Sequence, residues 1–171
     1  MNPANVRSNI RSLLGLGAVS LAVAGVIVAG QPSSAPEPER PWQPPAGYVL
    51  ADTVPLEHDH TLRLWTSPTG WYVESLRLGQ HKAAVGAGGS SSEYTVSEVL
   101  DGLVGAVPVA GAQAVSVGTP GATVRAGVHG GWFLVPASVV LATDDTVPVT
   151  PLDASGNPLA EETAVPIDGR G

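Results

Sequence analysis

The densest run of titratable side chains is Glu57-His58-Asp59-His60. On an extended strand, alternate residues point the same way, so His58 and His60 would share a face and could chelate a divalent metal. Two imidazoles seldom close a metal site, so a third ligand such as His81 or His129 is needed. The plainer reading is a solvated lead-in to a strand at Thr61, and the same histidines could also sense pH. A second group is Arg63, Trp65, Trp71 and Arg77. Indole and guanidinium groups dominate interaction hot spots, so these four on one face would form a partner- or ligand-binding surface. Buried in a core with the Arg ends reaching water, they would only stabilise the fold.

Other chemistries lack their patterns. Ser90-Ser91-Ser92 beside Gly86–Gly89 has no G-x-S-x-G elbow, and no G-K-[ST] follows the glycines. Asp144-Asp145 and Glu161-Glu162 read as solvated turns rather than facing catalytic acids. Asp153–Asn157 fails the spacing of a calcium loop and reads as a turn. No nucleophile, base and orienter can be assembled, so the sequence predicts a protein that is not an enzyme and carries no cofactor.

Whether the four residues share a face depends on one hairpin. Thr61–Ser67 and Trp71–Leu78 flank Ser67-Pro68-Thr69-Gly70. Turn chemistry favours a three-residue loop, with Pro fixing φ and Gly in the left-handed region. That register puts Leu62, Leu64, Tyr72, Leu76 and Leu78 on one face. Arg63, Trp65, Trp71, Val73 and Arg77 lie on the other. It also strands Glu74 on the greasy face. A slip of one residue would set Trp65 beside Tyr72 and Arg63 opposite Glu74.

Charge is divided unevenly along the 171 residues. Residues 1–30 carry Arg7 and Arg11 and no acid, whereas the net charge of the whole chain is −7. Leu13–Gly30 is almost wholly apolar, and as a helix it would span about 27 Å, close to the hydrocarbon core of a bilayer. Basic residues before it and acids after it predict the N-terminus inside and the remainder outside. The segment is either a transmembrane signal-anchor or a secretory signal peptide cleaved after Gly30. Its length exceeds the usual signal-peptide core and favours the anchor. Residues 31–47 hold six prolines and read as a semi-rigid polyproline stalk. Eight Lys and Arg in all exclude nucleic acid as a partner, and the absence of Cys excludes disulfides and thiolate sites.

From Tyr48 the chain alternates in short runs broken by Gly, Pro and Asp, which reads as strands. Expected strands include 113–117, 122–128, 132–135, 138–143 and 146–152, with a weak last one at 158–164. Pro148 and Pro151 place 146–152 at an edge. Residues 83–92 read as loop, 97–104 as a short helical turn and 166–171 as a frayed tail. The domain is therefore all-β over residues 48–165, a β-sandwich or small barrel.

Within it, Val115, Val117, Gly121, Val124, Ala126, Val128, Gly131 and Phe133 match the pattern V-x-V-x-x-x-x-G-x-x-V-x-A-x-V-x-x-G-x-F with one residue fewer between Val117 and Gly121. Val149, Asp153, Gly156 and Leu159 follow V-x-x-x-D-x-x-G-x-x-L. Residues 102–161 thereby resemble uncharacterised exported Ig-like β-sandwich proteins of high-GC Gram-positive bacteria. The Trp-rich sequence that follows the Phe in that group is replaced here by Leu134-Val135-Pro136. The resemblance implies an exported Ig-like sandwich and carries no active site. The sequence thus points to a non-catalytic envelope protein, membrane-bound through its N-terminal helix or secreted, that contacts another envelope protein or surface component. The alternative is a metal- or solute-binding sensor module.

Overall fold

The computed structural model describes residues 42–89, 92–119 and 121–169. The expected membrane or signal helix, residues 31–41 of the stalk, and Ser90 and Ser91 lie outside them. Among the described residues no helix is long and apolar enough to cross a membrane.

The domain is all-β, in two sheets. Strands β1 (Val49–Pro55), β2 (His60–Ser67), β3 (Gly70–Arg77) and β4 (Gln80–Gly88) form an antiparallel meander. The second sheet contains β5 (Thr95–Val99), β6 (Gly102–Ala106), β7 (Ala114–Val117), β8 (Val124–Gly127), β9 (Trp132–Pro136), β10 (Thr146–Leu152) and β11 (Thr163–Asp168). Its order is β8-β7-β10-β11-β5-β6-β9, and the β11–β5 pair is parallel. The end strands β8 and β9 touch, with a bridge between His129 and Trp132, so this sheet curls almost into a barrel.

Two apolar clusters result. Inside the curled sheet lie Leu103, Val115, Val117, Phe133, Val147 and Val149, among others. Between the sheets lie Leu62, Leu64, Trp71, Val73, Val104, Trp132 and Leu134. Strands β6 and β9 serve both, because odd and even residues face opposite ways. That explains their unbroken apolar sequences: every residue of β6 is buried. Two cores meeting at one strand leave little room. A Cβ on Gly105 would collide with the Phe133 ring and lie 2.7 Å from the Thr95 carbonyl oxygen.

Several expectations are corrected. Residues 97–104 form the β5–β6 hairpin, not a helical turn. Leu100 and Asp101 take φ of 52° and 69°, the left-handed pair that closes a tight hairpin. Burial on both faces outweighs the local turn pattern there. Residues 83–88 are in β4, because β3 offers a free edge and small Ala and Gly side chains fit beside Tyr72. A Cβ on Gly86 would strike that ring. The strand expected at 138–143 is absent: residues 137–139 form a single 3-10 turn, and 140–145 belong to no strand. The last strand starts at Thr163, and Pro166–Asp168 belong to it rather than to a frayed tail.

Strand β10 is interior, not an edge. Each proline lies just past the end of the ladder that its missing N–H faces. The Pro148 carbonyl accepts from Gly118 N–H beyond the β7 pairing, and the Pro151 carbonyl accepts from Leu159 N–H beyond the β11 pairing.

The turn expected at Asp153–Asn157 is present. The Asp153 carboxylate accepts from the Asn157 backbone N–H at 2.8 Å and from its side-chain amide at 3.1 Å. The backbone bond from Asn157, then the side-chain one, holds the carboxyl below its ordinary range.

Two outcomes follow. Gly105→Ala should lower unfolding free energy by about 1–3 kcal/mol through overpacking, read from urea melts; an unchanged midpoint would contradict the shared-wall packing. Because the folded value of Asp153 is depressed, its contribution is present at neutral pH and fades as pH falls through that value. Asp153→Asn should remove this part of the acid dependence, and carboxyl-carbon NMR should show Asp153 titrating below free aspartate.

Candidate functional site

The β2–β3 hairpin adopts the slipped register: Trp65 pairs with Tyr72, Arg63 with Glu74, and Ser67 with Gly70 around a two-residue loop. The turn preference is overridden by the faces. This register buries Leu62, Leu64, Trp71 and Val73 together, and it removes Glu74 from the apolar side. The four residues expected to share a surface are therefore divided. Trp71 is a core residue, tilted against Trp132 with ring centroids 6.4 Å apart. Arg63 and Trp65 lie on the outer face of the meander. Arg77 lies at its end, beside a cavity.

On the outer face, Glu74 organises the neighbouring side chains. Its side chain is only 5 % exposed. Oε2 accepts from Trp65 Nε1 at 3.1 Å, and Oε1 accepts from His81 Nδ1 at 3.2 Å. The Arg63 guanidinium approaches Oε2 at 3.8 Å and is 40 % exposed. A buried carboxylate is costly unless charge and hydrogen bonds compensate it, and here β2 supplies two of the partners and β4 the third. Trp42 covers the group. Its ring stacks on His81 at 5.1 Å and 5°, and meets Trp65 edge-on at 6.2 Å. Tyr48 packs edge-on against Tyr72 at 4.9 Å. The end of the proline-rich segment thus folds back over the sheet, where the sequence reading had a stalk running to residue 47. The hydrogen bond from Tyr48 N–H to the Pro45 carbonyl, with Gly47 at φ 93°, makes that reversal.

The histidine run is not a strand. His58 and Asp59 have φ of 57° and 56°, so they form a left-handed turn and the alternation that would align His58 with His60 is lost. His58 is exposed near Glu57, whereas His60 is buried. His81 and His129, the candidate third ligands, lie elsewhere: His81 is on Glu74, and His129 is 4.0 Å from Asp52. Among the described residues no group of three or more His, Asp or Glu has metal-holding geometry.

His60 does have partners that sequence spacing could not supply. Its Nε2 is 2.8 Å from Ser75 Oγ, and its Nδ1 is 3.8 Å from Asp101 Oδ2. Serine, histidine and aspartate are the types of a nucleophile, base and orienter. The geometry departs from that role. Ser75 is buried and does not line the adjacent cavity, and 3.8 Å exceeds a hydrogen bond. The imidazole therefore fastens β2 to β3 and faces the turn between β5 and β6.

The chain matches no protein-family model, no curated protein and no solved structure.

Glu74→Gln leaves one acceptor oxygen for two N–H donors. It should cost about 1–3 kcal/mol in urea unfolding. Arg63→Ala should cost no more than about 1 kcal/mol, since that pair is long and half-exposed. Equal effects would show that Glu74 is not the organising group.

Proposed function

We propose that this chain is an exported, non-catalytic cell-envelope protein whose β-domain contacts another envelope protein or surface component. Export is supported by the apolar run 13–30 with basic residues before it and acids after it. The Ig-like assignment is supported by the resemblance over residues 102–161, which fall on β6 to β10 and the turn after it. One observation carries the interaction role. On the outer face of the meander, the buried Glu74 fixes Trp65, His81 and Arg63, and Trp42 stacks on top.

Partly exposed indole and guanidinium groups held in one rotamer lose little entropy on binding, which is what a contact surface requires. The domain also keeps Leu50, 48 % exposed, beside Trp65 on the same face. Aromatic, apolar and cationic groups are therefore contiguous there.

Protease added to intact cells should digest the domain, while a cytosolic marker survives. A photo-crosslinker at position 63 should trap discrete adducts in the envelope, and one at position 153 should not. Full protection in the cytosolic fraction would overturn export, and equal labelling at both positions would overturn the surface.

A further inference from the structure

A cavity of about 580 Å³ opens where the two sheets part, away from the Glu74 face. Its walls come from four places in the chain. The β1–β2 connection contributes Pro55, which ends β1, with Leu56 and His60, which begins β2; Arg77 ends β3, Asp101 sits in the β5–β6 turn, and Pro136 ends β9. The volume falls in the range of small-molecule sites, which pair apolar walls with a few polar groups.

The polar groups are unusual in how they are left. His60 is 6 % exposed, and Ser75 fixes its Nε2, so the ring is held with Nδ1 toward Asp101. Among the described residues, Asp101 has no hydrogen-bonded side-chain partner, and its nearest basic group is that Nδ1 at 3.8 Å. Arg77 is the cross-strand neighbour of His60 and lines the same cavity, yet it makes no ion pair among the described residues. Glu57 and His58, 3.8 Å from each other, also line the cavity, while the Asp101 carboxylate and the Arg77 guanidinium border it without neutralising each other. A ligand bearing only one charge would satisfy one of them and face the other as like charge.

We propose that this cavity binds a small zwitterion with an apolar side chain, an amino acid or a short peptide. Its ammonium group meets Asp101, its carboxylate meets Arg77, and its side chain lies against Leu56, Pro55 and Pro136. The His60 ring forms the rigid wall between the two charged ends. This is a second site, independent of the outer-face surface and of where the protein resides.

The test uses the full chain purified in detergent. L-leucine, L-leucyl-L-leucine, 3-methylbutylamine and 3-methylbutanoate are titrated, with melting temperature and the His60 ring signals in NMR as readouts. Leucine or the dipeptide should saturate, raise the melting temperature and shift the His60 signals. Whichever binds more tightly identifies the ligand as a free amino acid or a peptide. The amine and the acid, each with one charge, should bind about tenfold or more weakly. Asp101→Asn and Arg77→Gln should each weaken binding about tenfold with the unliganded melting temperature unchanged, since both groups are exposed. Glu162→Gln, outside the cavity, should change nothing. The proposal fails if neither zwitterion gives a saturable response, if the amine or the acid alone binds as well, or if both cavity variants bind normally. A response to Zn²⁺ alone would also overturn it, in favour of a metal on the histidines.

Discussion

Everything in this domain is arranged around two strands that have no outside. Strands β6 and β9 present Leu103, Phe133 and Val135 to the curled sheet, and Val104, Trp132 and Leu134 to the meander. In most antiparallel sheets one face meets water, and polar residues alternate with apolar ones. Here alternation would place a polar group in one of two cores. The constraint also fixes side-chain volume. Glycines 102 and 105 admit Leu62 from one side and Phe133 from the other, with no space for a methyl group. The four-stranded meander, which would otherwise expose its apolar face, depends on this wall for burial.

The opposite face of the meander uses a different force. No second core covers it. Instead, a carboxylate on the central strand β3 collects donors from β2 and β4, and the segment at Trp42 closes over them. Apolar packing on one side and a charge cluster on the other hold the same hairpin in one register. A shift of β3 by one residue would put Glu74 among the leucines and Trp71 and Val73 beside Arg63 and Trp65, so the two sides reinforce each other. The resulting surface is rigid without being buried, which suits recognition better than a loop would.

Much of the fold was legible because its signals are local. Alternation places β2, β3 and β10 to within a residue. The Asp153–Asn157 turn followed from side-chain hydrogen bonding to the nearby backbone. What was illegible required tertiary knowledge. The β5–β6 hairpin reads as a helical turn because double burial erases period-two alternation. The Ala- and Gly-rich β4 reads as loop because its reason for being a strand lies in the neighbouring Tyr72. Turn preference points to the wrong hairpin register, and Glu74, which that register strands among leucines, is the signal against it. Ser75 and Asp101 as neighbours of His60, and Trp42 on His81, leave no trace in spacing.

Strand β11 occupies the middle of the second sheet, between β10 and β5, although it leaves the ribosome last of the eleven. Apart from β11, the ribbons β8-β7-β10 and β5-β6-β9 meet on the opposite side, where β8 approaches β9 at the His129–Trp132 bridge. On that side the curl of the second sheet is therefore completed by the strand that comes last of the eleven in sequence.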